Sequence, residues 1–250
     1  MRVVLNLNID PLMISLLTCK RLIVLLTIVF FATSTNAQIV EFGGHVGYNV
    51  SKFTVDQNKL NDAIFIRSGK PFSAYNFGIQ MSVSPARQQN SAYFRLIPSV
   101  LWEATLCRCG GFMGLSITSP NGTRSFNELE YTIYRGEYGV KFVLRSGPLQ
   151  LILGPTVTNR FYTAVQYGAN EGQKFAGDQF KVMALAYEVG AGLKFNTVHV
   201  SARFQRFING YGRESDLIPV VYNHHQVRFL LHYYFLRRER GKNWNSIYWD

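Results

Sequence analysis

The sharpest chemical grouping in this chain is His199-Val200-Ser201. Two positions apart, an imidazole and a hydroxyl share one face of a strand, and a Ser within reach of a His is the core of a nucleophile–base pair. Such a pair also needs a third group, a carboxylate, to orient the imidazole. Ala202 follows instead, and no acidic residue stands suitably downstream on the same segment. Hydrogen bonding within the fold is the better reading, so no catalytic residue is assigned.

Metal chemistry has equally little local support. His224 and His225 are adjacent, so on a strand they would point oppositely; they read as loop residues without a third ligand. Cys107 and Cys109 would share a face, but a bridge between them would be strained and a zinc site would need further ligands nearby. They read as ordinary loop-edge thiols. Asn121-Gly122-Thr123 matches a glycosylation acceptor, and Asn-Gly serves equally well as a turn. No metal site and no cofactor is expected.

The charged residues are more informative. Lys and Arg number 26 against 15 Asp and Glu, a net charge of +11, in a chain of 250 residues that is 47% hydrophobic and only 16% charged. A nucleic-acid binder would gather its cations on one face or helix. Here they are dispersed, apart from Arg237, Arg238, Arg240 and Lys242. No nucleic-acid partner is expected.

The dispersal has a rule, which is alternation. Val46, Tyr48 and Val50 alternate with His45, Gly47, Asn49 and Ser51; Tyr75, Phe77, Ile79 and Met81 alternate with Asn76, Gly78, Gln80 and Ser82. Val100, Trp102, Ala104 and Leu106 alternate with Ser99, Glu103 and Thr105. Tyr134, Tyr138, Val140, Phe142 and Leu144 oppose Arg135, Glu137, Lys141 and Arg145; Leu149, Leu151, Leu153, Val157 and Phe161 oppose Gln150, Thr156, Thr158 and Arg160. Leu185, Tyr187, Val189, Leu193 and Phe195 oppose Glu188 and Lys194; Val200, Ala202 and Phe204 oppose His199, Ser201 and Arg203; Val227, Phe229, Leu231, Tyr233 and Phe235 oppose Arg228 and His232. Period two means strands. Several segments outrun the 5–6 residues or so of a soluble strand, and one face carries both signs of charge. An apolar outer face and a polar inner face describe a transmembrane barrel.

The expected fold is therefore all-β: an eight-stranded antiparallel up-and-down transmembrane β-barrel over residues 38–236. Its expected lumen network is Glu103, Arg135, Glu137, Lys141, Arg145, Arg160, Glu188, Lys194, Arg203 and Arg228, filling an interior about as wide as side chains need. Residues 52–70, 109–124, 164–177 and 209–225 read as long connections. Residues 85–91, Ser146-Gly147 and Asn196-Thr197 read as short ones. Long extracellular loops alternating with short periplasmic turns are the pattern of these barrels.

Lys20 and Arg21 precede the apolar run 22–32, which ends in small residues before Ala37-Gln38. That is the form of a secretory signal cleaved after Ala37, with Met13 a candidate start. The run is too short for a membrane helix of about 20 residues. Residues 237–250 form a basic and aromatic tail in which Arg237, Arg238, Trp244, Tyr248 and Trp249 have the composition of a protein-binding hot spot.

Three stretches carry a resemblance. Gly43-Gly44-His45-Val46-Gly47-Tyr48-Asn49-Val50-Ser51, the pairs Gly147-Pro148 and Gly154-Pro155, and Glu188–Phe195 with the strand after it resemble the PorT-like outer-membrane β-barrel family of Bacteroidota. Phe235 fits its terminal aromatic. The resemblance implies a bacterial outer-membrane location and a link to type IX secretion; the even strand count puts both termini in the periplasm. The expected function is a non-enzymatic anchor or interaction subunit of a secretion or envelope complex. Its expected partners are outer-membrane lipid, lipopolysaccharide and a periplasmic protein held by the tail. The alternatives are a lipid-modifying enzyme using His199 and Ser201, and a small-solute channel or binder.

Overall fold

A computed structural model describes residues 39–55, 64–68, 70–84, 97–118, 121–122, 124–167, 174–175, 180–208, 222–239 and 245–246. The elements are β1 Ile39–Val55, β2 Ile64–Ser68, β3 Phe72–Ser84, β4 Ile97–Thr118, β5 Arg124–Ser146, β6 Leu149–Tyr167, β7 Lys174–Phe175, β8 Met183–Phe195, β9 Val198–Phe207, β10 Tyr222–Glu239 and β11 Asn245–Ser246. Eight of them, β1-β3-β4-β5-β6-β8-β9-β10, form one antiparallel ring, closed by β1 against β10. Closure leaves no unpaired edge within the ring, the condition for crossing lipid with strands. The signal segment 1–37 and Phe94, Arg95 and Leu96 lie outside the described residues.

The faces alternate along each strand. Tyr75 is 78% exposed, Phe142 61% and Leu151 61%, whereas Arg135, Glu137 and Lys141 are each 1% exposed. That is the reverse of a water-soluble protein, where charge lies outside. The eight strands thus present an apolar belt outward and enclose polar groups, as a membrane-spanning barrel must. Paired aromatics mark the belt's margins: Tyr48 with Tyr75 at 5.6 Å and Tyr134 with Tyr162 at 6.2 Å toward one end, Phe42 with Phe235 at 5.3 Å toward the other.

At one end the turns are tight. Ser146 pairs with Leu149, so the turn residues are Gly147 and Pro148, one position later than the expected Ser146-Gly147. Gly147 takes φ 58° and Asn196 φ 48°, left-handed values open to Gly and tolerated by Asn.

At the other end the strands run on past the belt. The β4–β5 ladder extends from Ile97↔Arg145 to Thr118↔Arg124. Ten residues above Tyr134 span roughly 30 Å of strand at about 3.3 Å each. Here the alternation inverts: Leu129, Tyr131 and Ile133 face inward and are buried, while Glu128 faces out and is exposed. An apolar inside with a polar outside is how a sheet is built in water. The inversion marks where the chain leaves lipid.

All four long connections therefore hold more structure than expected. Of 109–124, most is strand, which places Cys107 and Cys109 in mid-β4 and not at a loop edge. Segment 52–70 contains β2, paired to β4, and 164–177 contains the end of β6 and β7. His224 and His225 also lie on a strand, β10, rather than in a loop. β10 runs to Glu239, so Arg237 and Arg238 sit opposite Glu41 and Val40 in the closing strand and not in a tail. Beyond it, Asn245 and Ser246 pair with Arg237 and Leu236, so the tail folds back on the barrel.

Candidate functional site

The lumen holds the chemistry, in three levels. Next to the tight turns, Glu41 on β1 meets Lys194 on β8 and Arg145 on β5, the latter at 3.8 Å. Lys194 Nζ also lies 4.2 Å above the Tyr234 ring.

The middle level is a knot of buried ion pairs. Glu188 on β8 receives Lys141 and Arg203, each at 3.1 Å, and Arg228 more closely still. Glu137 on β5 takes Arg135 at 2.7 Å and Arg228 at 2.6 Å, and Glu103 on β4 takes Arg203 at 2.6 Å. Five strands feed this knot. Removing one partner of such a pair typically costs about 3–5 kcal/mol, because the other charge stays buried. Among the described residues, the ion-paired lumen groups are six basic (Arg135, Lys141, Arg145, Lys194, Arg203, Arg228) and four acidic (Glu41, Glu103, Glu137, Glu188).

Of the expected network, nine residues meet in these pairs. Arg160 is in none of these pairs; its Nη1 donates to Thr163 Oγ1 at 3.2 Å, beside a bulge where β6 shifts register against Tyr134 and Arg135. Glu41 was absent from the expected set. Its inward position was legible from Val40 and Phe42 flanking it.

The upper level is apolar, which the alternation did not foretell. Phe53 lies against Phe180 at 5.5 Å, Tyr131 at 6.0 Å and His224 at 4.9 Å. Met113, Leu129, Ile133, Val165, Ala186 and Phe207 complete this cluster with the two cysteines. Asn49 Nδ2 donates to Cys107 Sγ at 3.1 Å, and the Arg135 guanidinium sits 5.0 Å over the Phe207 ring. Those two contacts join the ion-pair knot to the apolar cap.

Ser201 does find a base, but it is His232 on β10, with Nε2 at 3.1 Å from the hydroxyl. His232 Nδ1 donates to Gln80 Oε1, which supplies an orienting group. Arg203 occupies both atoms of the would-be pair, reaching His232 Nε2 at 3.0 Å and Ser201 Oγ at 3.0 Å. Ser201 is 2% exposed and His232 0%, so the grouping has no room for a substrate. His199 is stacked on His232 at 4.4 Å and does not serve the hydroxyl.

No protein-family profile matches the chain, and no curated protein sequence does. Solved structures similar in fold include Neisserial surface protein A (NspA), with a TM-score of 0.40 and 11% identity over 78% of this chain and 97% of that one. Ail, the attachment invasion locus protein of Yersinia pestis, gives 0.38 and 12% over 80% and 99% in complex with the heparin analogue sucrose octasulfate. Ail without that ligand gives 0.36 and 12% over 79% and 98%. By its own ring of strands and its inside-out burial, the chain is an eight-stranded antiparallel transmembrane β-barrel.

Proposed function

We propose that this barrel is a non-enzymatic protein of the bacterial outer membrane, PorT-like in kind, serving as an anchor or interaction subunit of an envelope or secretion complex. One observation carries the reading: the lumen is filled. Side chains lining a water channel are reached by water, yet Arg135, Arg203, Lys141, Phe53, Tyr131 and Phe180 are all under 2% exposed. A plugged barrel with long strands projecting past its belt is suited to holding and presenting surfaces. It is poorly suited to passing solutes. The expected result in planar bilayers is therefore no stepwise conductance from the purified barrel; discrete channel openings would favour the solute-channel alternative.

In this reading the tight turns face the periplasm, and residues 1–37 are removed on export. The extended strands then stand outside the cell. Lys52, His225 and Arg206 are neighbours on β1, β10 and β9, directly above the Val50, Val227 and Phe204 row of the belt. Lys52 and Arg206, on either side of His225, place two cations just outside an apolar band, where anionic lipid headgroups, including lipopolysaccharide phosphates, would lie. Surface labelling of intact cells should detect a tag placed in residues 119–123 and miss one at Asp250 until the outer membrane is breached. Labelling of the Asp250 tag on intact cells would overturn the orientation.

The tail is the proposed docking element for a periplasmic protein. Trp244, Tyr248 and Trp249 lie outside the described residues, and the short β11 ladder between them holds the segment against β10. Deleting residues 242–250 should leave a folded, heat-modifiable barrel that has lost its periplasmic partner in crosslinking pull-downs. Retention of every partner would remove the docking role.

A further inference from the structure

We propose that the middle of the lumen binds one divalent transition-metal ion, held by His45, Glu103 and His232. Three strands bring these residues together from positions far apart in the chain. His45 on β1 is the direct cross-strand partner of His232 on β10 and of Gly78 on β3. Gly78 in turn faces Thr105 on β4, two residues from Glu103. A Cβ at Gly78 would come within 2.7 Å of the His45 ring, so only glycine lets that imidazole lie across β3 toward β4. One ligand atom from each of the three residues lies within 4.8 Å of the others, and His232 Nδ1 is 4.0 Å from Glu103 Oε1.

Two of the three already present a lone pair. His45 Nε2 lies 2.9 Å from Thr105 Oγ1, and its Nδ1 is buried without a hydrogen-bond partner among the described residues. With Nε2–H donating to Thr105, the Nδ1 lone pair is left to act as a ligand, the usual outer-shell arrangement for a ligating His. Glu103 is similar: Arg203 takes Oε2, while Oε1 is buried without a partner among the described residues. Leaving such atoms unmade costs about 1–3 kcal/mol each, and a ligand that satisfies both recovers it.

The third ligand has to change tautomer. His232 Nδ1 donates to Gln80 Oε1, and Nε2 accepts from Arg203. On loading, the proton moves to Nε2 and is donated to Ser201 Oγ, 3.1 Å away. Arg203 gives up one hydrogen bond and keeps Glu103 and Glu188. Gln80 Oε1, released, is a neutral oxygen in position to become a fourth ligand.

The donor set decides the metal class. Two imidazoles and one carboxylate suit zinc, cobalt, nickel or copper. Calcium and magnesium are held by oxygen ligands throughout, which a set with two imidazole nitrogens does not supply. His199 is the internal control. Its ring is stacked on His232 with planes 14° apart, so it offers that ring a π face while its lone pairs lie in its own plane. It is not a ligand.

The test uses the untagged barrel refolded in detergent, loaded with Co²⁺, desalted and measured by elemental analysis and visible absorption. Wild type should retain one Co²⁺ per barrel with the d–d bands of a four- or five-coordinate ion, and His199→Gln should match it. His45→Gln should lower retention by about tenfold or more. Glu103→Gln, which keeps the shape of the side chain and an oxygen for Arg203, whose charge Glu188 still pairs, should do the same and covers the case in which His45→Gln misfolds. Co²⁺ retention by the wild type no greater than by these variants would overturn the site. Equal loss in His199→Gln would overturn the assignment of its ligands.

Discussion

Glu188→Leu is expected to destabilise the barrel by about 3–5 kcal/mol, the scale on which breaking a buried ion pair falls. Among the described residues, Glu188 is the one carboxylate ion-paired with three cations, Lys141, Arg203 and Arg228. Leucine would fill the volume but leave Lys141 without its carboxylate, and Arg203 and Arg228 with one each, in a space that water does not reach. The measurement is the temperature at which the compact, heat-modifiable form is lost on gels, with chemical unfolding in detergent as a second readout. Phe142→Leu is the comparison, because Phe142 is on the lipid face and 61% exposed. It keeps an apolar surface and should cost under about 1.5 kcal/mol. Glu137→Leu should fall between them, since it pairs with two cations, Arg135 and Arg228. Equal effects from Glu188→Leu and Phe142→Leu would mean that inside and outside are exchanged.

Phe53→Ala is expected to cost about 3–5 kcal/mol, the usual range for emptying a packed aromatic site. Phe53 is fully buried at the centre of the upper cluster, touching the rings of Tyr131, Phe180 and His224. Tyr131 on β5 and His224 on β10 are held by their strands, so neither can collapse into the gap without moving one. Phe53→Leu should recover much of the loss. If Phe53→Ala unfolds at the same denaturant concentration as wild type, the cap is not a packed core and the lumen is open from that end.

How much of this was readable beforehand follows from the range of each signal. Strand identity and face come from period-two alternation, which is local, and Tyr134 to Arg145 shows both faces in twelve residues. The tight turns were legible for the same reason, to within one position at Gly147-Pro148. The apolar cap was not. Its residues alternate like those of the belt, and only the inversion of faces above Tyr134 on β5 tells lipid-facing from core-facing. Reading that inversion requires knowing where along the strand the membrane stops. The long β4 and β5 were cut short for a related reason, because Gly110 and Gly111 in β4 resemble a turn when taken from sequence alone.

What the amino-acid order determined by itself is an alternating, eight-segment chain with its charges on one face, enough to specify a closed barrel with a polar interior. Only the tertiary structure decided which of those groups meet. Glu188 finds Arg228 and Lys141, Ser201 finds His232 in place of His199, and His45 finds Glu103 across a glycine. Each pairing joins strands whose offset is set by the stagger of the closed ring. That stagger is a property of all eight strands together, and no single segment encodes it.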